Sequence, residues 1–251
     1  MPLEAPLLSI SERVDQLNTD RHHHSATDVL AGALANPLVG RTALVSSFGA
    51  ESVVLLHMVA QIDRTTPVLF IDTEMLFDET LSYQRDISDR LGLSNVQIIR
   101  ADRDQVFLRD NDAMLHRKDP DACCALRKSE PLQRALAPYD AWITGRKRFQ
   151  GGKRAAMDFF EAEREILIKI NPLAKWKPSD IRDYMTNNRL PRHPLVARGY
   201  ASIGCAPCTS SIEPGEDARA GRWRGRDKTE CGIHFANGQV LRTPTLQGIF
   251  E

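Results

Sequence analysis

No stretch of this 251-residue sequence approaches the roughly 18 consecutive apolar residues that a membrane-spanning helix needs. The opening MPLEAPLLSISERVDQ meets polar and acidic residues before an apolar run of signal-peptide length develops. The expectation is a soluble, cytoplasmic protein with no membrane partner. Net charge is missing as well, since 33 Lys and Arg balance 33 Asp and Glu. No global field then draws the chain to nucleic acid or to an acidic surface, and an anionic ligand must be met by a local cluster of cations. Cysteine is scarce, five residues in all. An odd number without a secretion signal argues against a disulfide framework and for metal or redox chemistry. Internal repeats and low-complexity tracts are absent, and so is Gly-x-x-x-x-Gly-Lys, which excludes a Walker-type phosphate loop.

What is present first is an alternation. RTALVSSF, TPVLFID, NVQIIRA, AWITG and EILIKINPL are short apolar runs rich in β-branched residues, separated by stretches long enough for helices. That order predicts βαβ units and an α/β fold with a doubly wound, mostly parallel sheet. Residues 51–62 are apolar round most of a helix, as a helix packed on a sheet would be, and 177–188 read as a helix with Ser179 as its N-cap. The run His22–His24 precedes a Ser25-capped helix; consecutive side chains diverge, and the run is assigned no role. After residue 191 the chain becomes dense in Gly, Pro, Arg and Cys without a regular period, so it reads as irregular backbone. A loop of that length in a compact domain is functional or disordered, and three of the five cysteines inside it favour function. We divide the chain into an N-terminal helical segment, 1–38, a nucleotide-binding α/β domain, 39–200, and an irregular C-terminal segment, 201–251.

LVSSFGAESVVLLH reads as strand, small-residue turn and helix. Ser46, Ser47, Gly49 and Ser52 let the backbone approach a ligand, with Phe48 in the same turn, and free N–H groups at the helix start attract an anion. Ligands bind at the carboxyl ends of strands in an open parallel sheet. Asp72 and Thr73 end the next strand there, as a ligand contact or as a cap. AWITG ends at Gly145 and runs into GRKRFQGGKR, whose Arg146, Lys147, Arg148, Lys153 and Arg154 form a basic cluster placed for phosphate or sulfate.

The cysteines fall as a doublet, Cys123-Cys124, a chelating pair, Cys205-x-x-Cys208, and Cys231 alone. Four thiolates suffice for zinc or for a four-iron cluster. C-x-x-C alone suggests structural zinc, whereas neighbouring Cβ atoms in the doublet diverge and suit a cluster that offers separate irons.

In order, SSFGAES, IDTEMLF, CCALRK, ITGRKRF, GCAPCT and GRWRGRDKTECGIH resemble the assimilatory adenylyl-sulfate reductases of the sulfonucleotide reductase family, over roughly residues 40–235. The resemblance implies an adenine nucleotide alpha hydrolase-like fold. It implies one 4Fe-4S cluster held by Cys123, Cys124, Cys205 and Cys208, and Cys231 as the nucleophile. Lys128 would sit between cluster and substrate sulfate, Arg154, Arg219 and Arg222 would clamp the anion, and His234 would share the site of Cys231. The implied reaction takes adenylyl sulfate to sulfite and AMP through a sulfo-adduct on Cys231. Reduced thioredoxin, or glutaredoxin, would resolve the adduct, and the tail would close for the first step and open for the second. A homo-oligomer is left open. The chain departs from the family pattern at Glu74, where glycine commonly follows Asp-Thr, and in the QGGKRA loop around Arg154. Three rivals stand beside this reading. A reductase of the 3′-phosphorylated nucleotide typically lacks the paired cysteines. An ATP-using adenylating enzyme needs a Ser-Gly-Gly-x-Asp-Ser type loop. A non-catalytic iron-sulfur or zinc redox sensor leaves ECGIH without a job.

Overall fold

All five apolar runs contain strands: β1 Thr42–Ser46, β2 Val68–Ile71, β3 Val96–Ile99, β4 Ala141–Ile143 and, beyond β5, β6 Leu167–Ile170. The computed structural model describes residues 8–21, 23–151, 154–226 and 228. Cys231 and His234 lie outside them, as do His22 and Lys153. β5, Phe160–Glu163, is a strand that the sequence pattern did not announce, and it runs antiparallel to β6. The turn between them places Arg164 and Glu165 at φ 56° and 53°. Such turns usually carry Asn or Gly, and neither residue is there to mark it.

The six strands lie in the order β3-β2-β1-β4-β6-β5, parallel except for the β5 edge. The expected doubly wound, mostly parallel sheet is thus observed. Strand order reverses at β1, so the crevice beyond the carboxyl ends of β1 and β4 is the switch point at which such sheets bind ligands.

The helices pack on both faces. α1 (Ile10–Arg21) lies against β5, and α2 (Ala26–Ala35) starts at Ser25, whose side chain accepts the Asp28 N–H. α3 (Ser52–Ile62) buries seven of its residues, among them Val53, Leu56 and Val59, which is why its sequence is apolar nearly all round. α4 (Asp78–Leu91) buries Thr80, Tyr83, Gln84, Ile87 and Leu91 at helical spacing and ends on Gly92 in the left-handed region, φ 65°. After β3 come α5 (Arg103–Arg109), the short α6 (Leu115–Lys118), α7 (Pro120–Cys124) and α8 (Glu130–Leu136). α9 (Pro178–Asn187) is capped by Lys177, not by Ser179: Pro178 occupies the first turn, and the Lys177 N–H donates to Asp180 Oδ2 at 2.7 Å.

Between α7 and α8 the helix widens into a π turn, Ala125–Ser129, and the Glu130 N–H donates to the Ala125 carbonyl five residues back. Pro131 accounts for the widening. It has no N–H to give, and its ring would collide with the carbonyl of residue 127 in a regular α-helix.

Residues 191–226 form a strap across the sheet's carboxyl end, irregular as expected except for short 3₁₀ turns. His193, fully buried, anchors its start: Nδ1 accepts from the Leu195 N–H at 3.2 Å, so Nε2 carries the proton and donates to Thr80 Oγ1 at 3.0 Å. Burial, opposed by nearby Glu79 and reinforced by Arg198, pushes its pKa down from 6.5 to about 4. The unfolded chain therefore takes up the proton first. The stability His193 supplies is complete above pH 6.5 and is lost as pH falls toward 4, a change of about 3 kcal/mol. Urea unfolding measured between pH 7 and pH 4 should show a shallower loss for His193→Gln than for the wild type, and parallel losses would refute this linkage.

Candidate active site

From Ser46 the chain turns into α3 through a left-handed residue, Phe48, at φ 47°. Its ring is fully buried at 5.2 Å from that of Phe70, edge to face. The side chain of Phe48 therefore belongs to the core and not, as expected, to the ligand contacts. Hydrogen bonds within the turn hold its shape: the Phe48 N–H donates to Ser46 Oγ at 3.2 Å and the Gly49 N–H to Ser52 Oγ at 3.0 Å. A Cβ on Gly49 would lie 3.3 Å from Ser47 Oγ and 3.4 Å from the Ile203 carbonyl of the strap, at the limit of ordinary contact. The glycine lets the strap cross directly above the turn.

Between turn and strap opens a cleft of about 540 Å³, within the range of small-molecule sites. Ser46, Ser47, Gly49, Ser52, Thr73 and Gly145 all line it, at the carboxyl ends of β1, β2 and β4. Among the described residues, six cations reach the same walls: Lys128, Arg146, Lys147, Arg154, Arg219 and Arg222. Several are already compensated. Lys147 pairs with Glu51 at 2.6 Å, Arg146 is held by Glu161 and Asn171, and Arg154 donates to Gln150. Arg148 pairs with Asp158 at 2.9 Å, away from the cleft. Arg146, Lys147 and Arg148 thus carry acidic partners, whereas the Gln150 partner of Arg154 is a neutral amide. Asp72 also departs from expectation as a ligand contact: it does not line the cleft, its carboxylate pairs with Arg100 at 2.8 Å, and Oδ1 accepts the Glu74 N–H at 2.9 Å. It caps the loop after β2. Glu74 in that loop has φ 58°, which accounts physically for the glycine common at this place; a non-glycine residue pays roughly 1–2 kcal/mol there. Its carboxylate lies 3.5 Å from Arg127.

Cys123, Cys124, Cys205 and Cys208 line one recess beside the cleft, together with Met75, His116, Arg127 and Lys128. The doublet reaches it because Asp119 caps α7, accepting the Asp121 and Ala122 N–H groups at 3.0 and 2.9 Å, with Pro120 preset for the first turn. The second pair arrives on the strap. The Ala206 N–H donates to the Met75 carbonyl at 2.8 Å, and Thr73 Oγ1 lies 3.2 Å from Cys205 Sγ. Burial, together with the neighbouring Cys124 and Cys205, pushes the Cys123 thiol up to about 12; Cys208 is raised by burial and by Cys205. Four thiols on one recess, with Cys123 and Cys208 raised by burial, are donors that a cationic centre would hold as thiolates. Among the described residues, no three Cys, His, Asp or Glu side chains converge as a single metal ion requires. The four thiols of the recess are the donor chemistry that a sulfur-ligated centre would use.

Recess and cleft share a wall. Lys128, only 8% exposed, and Cys205 line both. On the strap, the Arg222 guanidinium lies 4.4 Å over the Trp223 ring, and the Trp223 N–H donates to the Cys208 carbonyl at 3.0 Å. Gly204 leaves room for that guanidinium, which a Cβ would meet at 2.4 Å. Lys228 forms an ion pair with Asp121 at the start of α7. Sequence reasoning overlooked the buried pair Arg127–Asp110, joined at 2.8 and 3.0 Å. No spacing announces it, because the partners sit on separate elements and meet only in the fold.

Comparison with known proteins adds the family. Residues 41–211 match the phosphoadenosine phosphosulfate reductase domain. The chain is 54% identical over 201 residues to the adenosine 5′-phosphosulfate reductase of Mesorhizobium japonicum, covering 80% of this chain and 79% of that one. It is 47% identical over 235 residues to the protein of the same name from Chelativorans sp., covering 92% and 96%. Among solved structures, the phosphoadenylyl-sulfate reductase of Candida auris in its phosphate complex superposes with a TM-score of 0.67 at 27% identity, over 83% of this chain and all of that one. The shared fold is the adenine nucleotide alpha hydrolase-like one. With a domain match across most of its length and relatives of this identity along most of theirs, the chain belongs to the phosphoadenosine phosphosulfate reductase domain family.

Proposed function

We propose that this protein reduces adenylyl sulfate to sulfite and AMP, in assimilatory sulfate reduction and cysteine biosynthesis. The observation that carries the proposal is the shared wall: Lys128 and Cys205 face both a nucleotide-sized cleft and a recess lined by four thiols. The printed names of the two bacterial relatives point to the same substrate. The acidic partners of Arg146 and Lys147 support the nucleotide without a 3′-phosphate, because these two charges are already compensated.

In this mechanism the adenosine lies along the turn at Ser46–Ser52, and the phosphosulfate points to Lys128, Arg219 and Arg222. The Cys231 thiolate attacks the sulfate sulfur. The bond from sulfur to the phosphate oxygen breaks, AMP departs with that electron pair, and Cys231 carries a sulfo group. A thiolate of a reduced dithiol protein, thioredoxin or glutaredoxin, then attacks the Cys231 sulfur and expels sulfite. Its second thiol closes the disulfide and frees Cys231, so the dithiol supplies both electrons. Cys231 lies outside the described residues.

Cys123, Cys124, Cys205 and Cys208 would hold one 4Fe-4S cluster. When bound, the cluster acts electrostatically and structurally, fixing the four sulfurs and with them the orientation of Lys128 toward the sulfate. Three expectations follow from these assignments. Replacing any one of the four by Ser should lower iron and acid-labile sulfide in the purified protein, and full retention would remove that residue from the ligand set. Lys128→Ala and Arg222→Ala, at equal iron content, should weaken adenylyl sulfate binding by roughly one to two decades, the loss of one charge-assisted hydrogen bond; unchanged affinity in both would sink the anion assignment. Cys231→Ser should abolish turnover while iron and nucleotide binding persist, because a serine hydroxyl is scarcely ionised at neutral pH. In the wild type without reductant, mass spectrometry should find the sulfo-adduct on the Cys231 peptide, and an adduct on another cysteine would overturn the mechanism.

A further inference from the structure

Four thiols from two distant parts of the chain meet in one recess, and something must set the two pairs against each other. The doublet rides on α7, and Cys205 and Cys208 ride on the strap. The strap is docked to the loop after β2 through the Ala206 N–H on the Met75 carbonyl and through the contact of Thr73 with Cys205. The loop after β2 is held in turn by Arg127, whose Nη1 donates to the Thr73 carbonyl at 3.1 Å. Arg127 is the third residue after the doublet, in the π turn, and is 5% exposed. Its other two guanidinium nitrogens, Nε and Nη2, both donate to one oxygen of Asp110, at 3.0 and 2.8 Å. The Asp110 side chain has no exposed surface, and its second oxygen accepts the Leu115 N–H at 2.8 Å. The chain of contacts therefore runs from Asp110 to Arg127, to the Thr73 loop, to Cys205.

We infer that Asp110 is a positioning residue for the thiol recess: by holding the Arg127 fork, it fixes the separation between the doublet on α7 and the cysteine pair on the strap. Geometry favours this over simple charge compensation. A guanidinium aimed only at a carboxylate presents two nitrogens to two oxygens. Here both nitrogens share one oxygen, and the remaining nitrogen donates to the Thr73 carbonyl of the other half of the site at 3.1 Å, nearer than the Glu74 carboxylate at 3.5 Å. Asp110 thus aims the fork as well as neutralising it. The buried charge also explains why lysine is a poor substitute: one ammonium at the end of a flexible stem cannot reproduce a planar fork that touches Asp110 and Thr73 at once.

The purpose of this arrangement rests on the cluster reading above, but the arrangement can be read without the cluster. Metal-free protein is treated with dibromobimane, which bridges thiols a few ångströms apart, and the bridged peptides are mapped by mass spectrometry. Wild type should give bridges between the doublet peptide and the Cys205–Cys208 peptide. Asp110→Asn, which keeps the size and the acceptor for the Leu115 N–H, should lose these bridges and should take up less iron on reconstitution with ferrous iron and sulfide. Since a buried unpaired guanidinium can unfold a protein, Arg127→Lys is the second variant; it keeps the charge pair and gives up the fork. Cross-pair bridging lost in a folded Arg127→Lys supports the inference, and bridging at the wild-type level in either folded variant overturns it. Wild-type protein that bridges across the pairs but takes up no iron would end the cluster reading and leave this one standing.

Discussion

An irregular stretch such as 191–226 can lie on a protein only if its backbone N–H and C=O groups find partners, and this one finds them by borrowing from the sheet's carboxyl end. Tyr83 donates to the Pro191 carbonyl at 2.8 Å, Met75 receives the Ala206 N–H, and Leu76 bridges to Cys205. The strap then bonds to itself, Ser210 to Gly221 and Ile212 to Gly199. Everything that distinguishes the site follows from that docking. It roofs the cleft with Ala201–Gly204, delivers two thiols to the doublet, and holds Arg219 and Arg222 over the switch point between β1 and β4.

The family match, the switch-point cleft and the four-thiol recess bear on one another through a few residues. Lys128 is the clearest case. Its place in the chain is set by a doublet on α7 and by the proline that widens the following turn, and its place in space is the partition between two sites. Thr73 plays a similar part from β2, with its carbonyl toward Arg127, its hydroxyl toward Cys205 and its surface in the cleft. A nucleotide-binding α/β fold becomes suited to sulfur chemistry by such shared residues.

The sheet was legible because parallel strands buried on both faces write themselves as apolar runs; β2, with all four residues buried, is the plainest. β5 was not, because its hairpin turn uses Arg164 and Glu165 where Asn or Gly would have announced it. The site was legible where it is made of local spacing, as in the cysteine doublet, C-x-x-C and the small-residue turn. The ring of Phe48 was not legible, because a residue inside a small-residue turn can still send its side chain to the core. Asp72 was read as contact or cap, and Arg100, from the end of β3, decided for the cap. Asp110 was invisible for the same reason: a buried pair between distant elements has no period. Cys231 and His234 were found by motif, and their roles rest on chemistry and on the resemblance.

Gly221 carries a consequence beyond fit. A Cβ there would stand 2.2 Å from the Ser210 carbonyl, against backbone that cannot swing away. The two limbs of the strap can therefore close on each other only with glycine at this point, and closed they hold Arg219 and Arg222 in place. Their conformational entropy is surrendered when the chain folds, not when the ligand arrives. An anion that entered the cleft would then meet cations positioned in advance, which would leave more of the interaction energy as affinity.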